Sequence, residues 1–457
     1  NWARESEAYR PRLAEVSRGI RDNNDVPVIT QNLVNGLFLS KGYMSGSVTR
    51  LERYQQCPFK FYAQYGLKLE PRPVRSFGAP EIGTFLHANL ERLGNYLLEN
   101  NKQWRDLDEE EQENLCRAVA DEILQENQLG EETSDAYQKA IEQRVQRTLH
   151  VTVDRLVEWS KRSDFDTKYL EQDFGRQGGW DPIRVPLGED RYLRLIGQID
   201  RIDEYTRDGQ TYGMVIDYKS GGAHVTAQDV YYGLKLQLMT YLLALESAYG
   251  KTHSGSMSPA AVVYSYVKNP KIPADVPISY EDAVSLANES DAWQNSGYFS
   301  DDIELLTHID NKFLSYGSKR GPYVPIATKK DQTISSRDLR KVKSTGEFDV
   351  MCRYTNHVMA ETGRHIGDGQ FPIKPYQLNG LRPCTFCDYR TVCRFDSSRN
   401  RYNYLSRLSE DDALERMKEV LSDGNNGNNC NDRNNSNEKN NNNDGNNSSE
   451  GGENHGC

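Results

Sequence analysis

The feature that most constrains this 457-residue chain is a pair of strand-like segments with an Asp-Gly turn signal between them. Apolar and polar residues alternate from Tyr192 to Asp200, and the apolar run 214–216 leads directly to Asp217. Alternation is typical of a half-buried strand, and an Asp-Gly pair between strands favours a tight hairpin turn. The sequence therefore predicts two strands joined by a turn at Asp208-Gly209, with an acidic residue near an end of each.

Helices and a third strand surround this hairpin. Apolar residues recur at near-helical spacing after Ser47, which can cap a helix, and again after Gly83. Further on, Val230 to Ala248 predicts a helix, Ala260 to Val267 a strand, and Phe348 to Thr362 another helix. Helices that alternate with neighbouring strands indicate a mixed α/β core.

Composition divides the chain into unequal parts. The charged segment at about 100–165 has almost no Gly or Pro and predicts a helical insertion, whereas the asparagine-rich end lacks the apolar residues of a core. The chain starts without a methionine, so we expect the C-terminal part of a longer protein. The predicted parts are the end of a preceding region with a linker (1–46), a main domain (47–400) containing the insertion, a C-terminal helix (401–422) and a disordered tail (423–457).

Hydropathy and charge exclude several classes of protein. No apolar run approaches the ~18 to 20 residues of a membrane-spanning helix, and no secretory signal is present, so we expect a cytoplasmic protein. The net charge of -11 argues against coating nucleic acid by bulk charge but permits a local basic channel. One basic stretch could form that channel, with a solvated surface as the alternative. Its basic residues are Lys319, Arg320, Lys329, Lys330, Arg337, Arg340, Lys341 and Lys343.

The two acidic residues and a following lysine form the sharpest chemical signal. Asp200 and Asp217, near the ends of neighbouring strands, can converge on one Mg²⁺, which prefers carboxylate oxygen. Lys219 lies two residues after Asp217, so both side chains share a face of the strand. A lysine there can orient water and stabilise charge on a phosphate, which suits phosphodiester hydrolysis. The alternative is a salt bridge at a strand end.

Three further residues accompany this set. Gln237 and Tyr241 are four residues apart on the next predicted helix, so they share a face that can pack beside a metal site and touch DNA phosphate. His87 follows Gly83 on the earlier helix. A histidine on an apolar helix is more often a satisfied core residue than a metal ligand, and spacing alone leaves both interpretations open.

Cysteines form a second constellation. Cys384, Cys387 and Cys393 lack one ligand to make four, and Cys57 is the natural fourth, with a small buried apolar residue as the alternative. Four thiolates can hold Zn²⁺ or a 4Fe-4S cluster, and spacing does not decide between them. If all four share one centre, it closes a very long loop and its role is structural. The remaining cysteines of the ordered part, Cys116 and Cys352, are interpreted as core or incidental residues.

These residues together resemble the RecB-type branch of the PD-(D/E)xK nucleases, and most closely the nuclease region of the B subunit of AddAB-type ATP-dependent helicase-nucleases. The resemblance covers approximately Ser47 to Phe395. The motifs that carry it are Ser47 to Glu52 with Cys57-Pro58-Phe59, Gly83 to His87, Gly197 to Asp203, Ile216 to Lys219, Gln237 to Tyr241, and Pro383 to Cys393.

The resemblance implies a restriction-endonuclease-like mixed sheet flanked by helices, with an iron-sulfur staple. It implies that His87, Asp200 and Asp217 bind Mg²⁺ with help from the Tyr218 carbonyl, that Lys219 is the catalytic lysine, and that Gln237 and Tyr241 support it. It also implies a 4Fe-4S cluster rather than zinc. The four ligands are Cys57, Cys384, Cys387 and Cys393.

The same resemblance predicts the biological setting. It implies a bacterial, cytoplasmic heterodimer with an A-type helicase-nuclease subunit, which resects double-strand DNA ends for recombinational repair and cuts the 5'-ended strand with the B nuclease. The chain has no Gly-x4-Gly-Lys-Ser/Thr phosphate loop, so ATP binding and unwinding are not expected of these residues. Two alternatives remain: a catalytically silent DNA-end-binding scaffold of the same complex, and a stand-alone iron-sulfur exonuclease.

Overall fold

The computed structural model describes residues 10–21, 24–40, 42–70, 79–126, 135–188, 190–252, 257–268, 279 and 293–423. Its helices are α1 (Arg10–Arg21), α2 (Gln31–Phe38), α3 (Val48–Gln56), α4 (Pro58–Phe61), α5 (Ala79–Glu99), α6 (Glu109–Glu126), α7 (Asp135–Arg162), α8 (Ala227–Tyr231), α9 (Gln237–Thr252), α10 (Ile303–Ile309), α11 (Thr345–Gly367), α12 (Arg390–Cys393) and α13 (Glu410–Asp423). Its strands are β1 (Leu39–Ser40), β2 (Tyr43–Gly46), β3 (Asp166–Phe174), β4 (Ile183–Gly188), β5 (Arg191–Leu195), β6 (Gly197–Arg207), β7 (Gln210–Lys219), β8 (Met257–Tyr266), β9 (Ser296–Ser300), β10 (Val342–Lys343), β11 (Tyr376–Gln377) and β12 (Asn403–Tyr404).

A six-stranded mixed sheet, in the order β10-β9-β8-β7-β6-β3, forms the centre of the fold. The predicted hairpin is confirmed as the antiparallel pair β6 and β7. Asp208 and Gly209 connect it with positive φ angles of 52° and 79°, as a tight hairpin turn requires. β7 and β8 are parallel, and α8 and α9 form the crossover between them. The mixed α/β class predicted from the sequence is therefore confirmed.

The first predicted strand is wrong in its extent, because the chain changes sheets at Ile196. β5 belongs to a second sheet with the order β1-β2-β5-β4, whereas β6 starts at Gly197 in the central sheet. The Ile196 N–H donates to the Gly46 carbonyl of β2 at 3.0 Å. Gly197 packs against Phe174, whose ring leaves no room for a Cβ. Hydrophobic alternation continues across the break, so the sequence pattern does not reveal it.

Two predicted helices also differ in their limits, and a third lacks its predicted cap. The helix predicted from Val230 to Ala248 is two helices, α8 and α9, separated at Gly233 with a φ of 69°. The helix predicted after Gly83 begins earlier, at Ala79. Ser47 precedes α3, but its side chain makes no capping hydrogen bond. Helical periodicity thus located the helices better than their ends.

Two apolar cores cover the two faces of the central sheet. Ile199, Val215 and Val262 pack on the face covered by α9, α11 and α13, whereas Ile216 and Val263 face α5, α6 and α7. The predicted insertion at about 100–165 is helical in α6 and α7, which are part of the second core. The predicted tail lies outside the described residues beyond position 423. Among the helices described, none has both the length and the apolar character needed to cross a membrane.

Candidate active site

The facing ends of β6 and β7 bring two predicted acidic residues together. The strands pair with Arg201 opposite Ile216, so Asp200 and Asp217 are the next opposed residues in the same antiparallel register. Asp200 Oδ2 accepts a hydrogen bond from the backbone N–H of Tyr218 at 2.7 Å. Both aspartates are buried. The hairpin therefore sets the two carboxylates at one edge of the central sheet.

Lys219 lies beside Asp217, as the two-residue period of a strand predicts. Its ammonium contacts the Asp217 carboxylate and lies 5.4 Å from the centre of the Tyr264 ring. The Lys219 side chain is 31% exposed while that of Asp217 is 1% exposed. The lysine thus joins the buried acid to the solvent side of the site, where its ammonium can donate to a water molecule or a phosphate oxygen.

His87 reaches the acidic residues from α5. Its Nε2 donates to the Tyr218 carbonyl at 2.9 Å, and its Nδ1 lies 3.4 Å from Asp200 Oδ2. Burial lowers the pKa of the His87 imidazole although the Asp217 charge opposes this, so the neutral ring is favoured. A neutral imidazole that donates from Nε2 keeps a lone pair on Nδ1, as a metal ligand requires. The structure thus brings His87 into contact with the predicted acidic set.

Glu171 is a site residue that the sequence does not predict. Together with His87 and Asp200 it forms a group whose ligand atoms all lie within 4.8 Å of one another. Glu171 lies in β3, which pairs with β6 on either side of Asp200, and its φ of 43° is in the left-handed region. A glutamate rarely adopts this conformation, and such strain concentrates at functional sites. No local motif marks Glu171, because only long-range strand pairing brings it here.

The site has two adjoining parts. His87, Glu171 and Asp200 form the compact group of metal-ligand size, and in the described part of the chain Asp217 is not a member of such a group. Asp217 instead contacts Lys219. The backbone of Tyr218 connects the parts, because its N–H binds Asp200 and its carbonyl binds His87.

The electrostatics of the site favour a bound cation. Burial is the main cause that raises the pKa of Asp200 to about 6, that of Asp217 to about 7 and that of Glu171 to about 8. The charge of Asp200 adds to the effect on the other two. A divalent cation would favour the ionised form of every carboxylate, and a hard ion such as Mg²⁺ prefers these oxygens. The donor set therefore fits a hard divalent ion.

α9 presents Gln237 and Tyr241 on the Asp217 side of the site. The Gln237 amide donates from Nε2 to the Tyr241 hydroxyl at 2.8 Å. Tyr241 is buried, and burial and the charge of Asp217 both raise the pKa of its hydroxyl. The structure thus brings these two predicted residues together, within electrostatic reach of Asp217.

The four predicted cysteines meet at a separate pocket. They are Cys57, Cys384, Cys387 and Cys393. Each is a free thiol in the structure. A hydrogen bond of 3.2 Å from the Phe59 N–H to the Pro372 carbonyl helps to join the early and late segments of the chain. Cys116 and Cys352, in contrast, are buried in the two apolar cores, as their interpretation as core residues predicts.

The predicted basic stretch divides into buried and exposed side chains. Lys343 is buried, and its amine lies 3.7 Å from the Glu410 carboxylate. Arg320 pairs with the buried Asp338 at 2.6 Å, and the Lys341 amine donates to a backbone carbonyl at 2.6 Å. The exposed members are Lys319, Lys329, Lys330, Arg337 and Arg340. A long polymer can reach these five directly.

Comparison with known proteins agrees with this geometry. The PD-(D/E)XK nuclease superfamily model matches residues 45–394. The B subunit of the ATP-dependent helicase/deoxyribonuclease of Clostridioides difficile (strain 630) is 30% identical over 415 residues, which are 90% of this chain and 35% of that protein.

Two further proteins with the same name have similar coverage. The one from Thermoanaerobacter sp. (strain X514) is 29% identical over 429 residues, which are 93% of this chain and 36% of that protein. The one from Clostridium perfringens (strain SM101 / Type A) is 30% identical over 435 residues, which are 93% of this chain and 37% of that protein. The chain therefore spans a little over a third of the length of these relatives.

Proposed function

The chain belongs to the PD-(D/E)XK nuclease superfamily, and from this premise we propose that it is the Mg²⁺-dependent DNA nuclease part of an ATP-dependent helicase-nuclease. The observation that carries the proposal is the convergence of His87, Glu171 and Asp200 within 4.8 Å, beside the Asp217 and Lys219 pair. The relatives are named as the B subunit of a helicase/deoxyribonuclease, which supports DNA as the substrate.

Each residue of the site has a distinct part in the proposed hydrolysis. His87, Glu171, Asp200 and the Tyr218 carbonyl would hold Mg²⁺, with Asp217 as the adjoining carboxylate. When bound, the ion supplies Lewis-acid stabilisation of the charge on the scissile phosphate. Lys219 donates a hydrogen bond that orients the attacking water, and Asp217 holds the ammonium in position.

The supporting residues bind the substrate. Gln237 and Tyr241 contact a phosphate next to the scissile one, because an amide and a hydroxyl are suitable donors to phosphate oxygen. The exposed members of the basic stretch guide the strand towards the site by long-range attraction. None of these contacts reads the base sequence.

We assign the domain to a complex with an A-type helicase-nuclease subunit. In that complex the domain cuts the 5'-ended strand during resection of double-strand DNA ends for recombinational repair. The subunit names of the relatives support a multisubunit enzyme. The chain covers little more than a third of those relatives and contains no phosphate-loop motif, so unwinding is assigned to other parts of the complex.

Digestion of end-labelled DNA by the purified chain tests the nuclease proposal. We expect Mg²⁺-dependent release of label from single-stranded DNA, and none in EDTA. Adding the partner subunit and ATP should extend digestion to duplex ends, with loss of the 5'-ended strand. DNA binding without cleavage in Mg²⁺ would instead support the silent-scaffold alternative.

The cysteine pocket is proposed to hold a 4Fe-4S cluster. The support for a metal centre is that four free cysteines from distant parts of the chain line one pocket. Four thiolates can hold either zinc or a 4Fe-4S cluster, and the resemblance to the iron-sulfur branch of the superfamily favours the cluster.

The unpredicted acid Glu171 leads to a prediction on metal affinity. Replacing Glu171 with glutamine removes one charged oxygen ligand, so the Mg²⁺ concentration for half-maximal cleavage should rise at least about tenfold. A titration of initial cleavage rates with MgCl₂ measures this. Asp173→Asn is the control, because Asp173 lies in the same strand but pairs with Arg176 at 2.7 Å. Equal Mg²⁺ requirements for both variants would contradict the role of Glu171.

The exposed basic residues lead to a prediction on DNA affinity. Lys329→Ala combined with Lys330→Ala should weaken DNA binding and reduce the slope of log affinity against log salt by about 1 for each lost phosphate contact. Fluorescence anisotropy over a series of salt concentrations measures the slope. Lys251→Ala with Lys418→Ala is a charge-matched control, with side chains 56% and 47% exposed. If both double variants have the wild-type slope, these lysines do not guide the strand.

A further inference from the structure

α9 begins without a capping residue of its own. The residues that precede it, Gly233-Leu234-Lys235-Leu236, include no Ser, Thr, Asp or Asn, and its first turn has no acidic residue. The first N–H groups of a helix have no partner inside the helix and need an acceptor elsewhere. The local sequence therefore leaves the start of α9 dependent on a distant residue.

Glu52 in α3 supplies the missing acceptor. Its Oε1 accepts hydrogen bonds from the backbone N–H of Leu236 at 2.7 Å and of Gln237 at 3.2 Å, across sequence separations of 184 and 185 residues. Burial raises the pKa of Glu52 to about 7, and these two hydrogen bonds and the charge of Lys235 oppose that rise. Burying a carboxyl group costs free energy, which the N–H donors and the positive end of the helix dipole partly offset.

The first turn of α9, which is hydrogen-bonded to Glu52, is the part of the helix that faces the candidate site. Gln237 donates its backbone N–H to Glu52 and its side-chain amide to Tyr241 at 2.8 Å. Any fraying or axial shift of this turn would therefore move the Gln237 amide and, through it, the Tyr241 hydroxyl. Glu52 is also a short distance along the chain from Cys57, which follows the end of α3. The same short helix thus contacts the start of α9 through Glu52 and ends directly before Cys57 of the cysteine pocket.

We propose that Glu52 is a positioning residue, which fixes the first turn of α9 and so holds the Gln237 and Tyr241 pair in place beside the catalytic acids. This inference rests on the proposed nuclease function. Glu52 acts through backbone N–H groups and needs no contact with DNA or metal. The interaction replaces the local cap that the sequence of α9 lacks.

Two substitutions of Glu52, made in the full 457-residue chain, distinguish the effect of its hydrogen-bonding oxygen from the effect of its negative charge. Glu52→Gln keeps an oxygen at the same reach, so cleavage should stay close to the wild-type rate. Glu52→Asp keeps the charge but withdraws the oxygen by one methylene, and kcat should fall on the order of 10- to 100-fold with a smaller change in KM. Hydrogen exchange of the Leu236 and Gln237 amides should accelerate in Glu52→Asp and remain slow in Glu52→Gln.

Glu410→Ala is the matched control. Glu410 also caps a helix from a distance, because its carboxylate accepts from the Ala227 N–H of α8 at 3.1 and 3.2 Å. Its replacement should lower the melting temperature but leave kcat of the folded protein unchanged. A fall in kcat equal to that of Glu52→Asp would mean that the effect is general loosening, and would overturn the proposal.

A double-mutant cycle gives the decisive comparison. In a Gln237→Ala background, Glu52→Asp should cause little further loss of kcat, since the group it positions is already absent. A full additional loss, or a wild-type kcat in Glu52→Asp alone, would refute the positioning role. If the wild-type chain does not cleave DNA in Mg²⁺, the proposed function fails, whereas wild-type cleavage with unaltered Glu52→Asp kinetics and amide exchange overturns only the role of Glu52.

Discussion

Replacing Asp217 with alanine is expected to reduce Mg²⁺-dependent DNA cleavage by at least about 10³-fold. Asp217 is 1% exposed and contacts the Lys219 ammonium, so its loss removes a buried charge of the site and frees the lysine. Lys219→Ala should have a comparable effect, because the orienting donor itself is lost. Single-turnover rates on end-labelled DNA measure both effects.

The loss of cleavage in these variants should not be accompanied by a loss of folding stability. Burial and the charge of Asp200 raise the pKa of Asp217, so the folded protein disfavours its ionised form and its removal is not expected to lower the melting temperature. DNA affinity should also stay close to wild type. Asp181→Ala serves as the control, because Asp181 is 72% exposed and pairs with Lys251 at the surface. Cleavage by Asp217→Ala at the wild-type rate in Mg²⁺ would show that the roles are wrongly assigned.

If the cysteine pocket holds the proposed 4Fe-4S cluster, replacing Cys393 with alanine is expected to abolish that cluster and destabilise the whole domain. The binding free energy of a structural metal centre is also folding free energy. A loss on the order of 5 kcal/mol would lower the melting temperature by roughly 7 °C in a domain of about 350 residues, because the unfolding entropy of such a domain is about 0.7 kcal/mol per kelvin. Anaerobic purification, iron and sulfide analysis and thermal melting measure the two effects. The wild-type protein should be brown with a broad violet-to-blue absorption band.

Cys116→Ala is the matched control for the cluster. Cys116 is also a buried thiol, but it lies among apolar side chains of the second core. Its replacement should keep the iron, the colour and most of the stability. A colourless wild-type protein with stoichiometric zinc would contradict the cluster, and iron retained at the wild-type level in Cys393→Ala would exclude Cys393 as a ligand.

The local sequence pattern was sufficient to predict the centre of the fold. Strand alternation and one Asp-Gly pair predicted the hairpin of β6 and β7, and the two-residue period put Lys219 beside Asp217. Helical periodicity located α5, α9 and α11, because a buried helix face repeats every three to four residues. These features depend on neighbours in the sequence, so they can be read without knowing the packing.

The local sequence pattern does not predict those features that depend on a partner far away in the chain. The break at Ile196 follows from the pairing of β5 with β2, while the alternation of apolar and polar residues continues across it. Glu171 is an ordinary glutamate in the sequence and reaches the site only because β3 pairs with β6. The basic stretch predicts that Lys343 faces DNA, but the docking of α13 brings Glu410 to it in the interior.

The sequence by itself determined most of the chemical composition of the candidate site, because two of its three acids, the lysine, the histidine and the cysteines occur in motifs with recognisable spacing, whereas Glu171 does not. Only the tertiary structure decided which of them meet: His87 and Glu171 with Asp200, Lys219 with Asp217, and Glu52 with the start of α9. The physical reason is that spacing along a chain limits which side chains share a strand or helix face. Strand pairing and helix packing, which depend on burying apolar surface across hundreds of residues, set the distances between those faces.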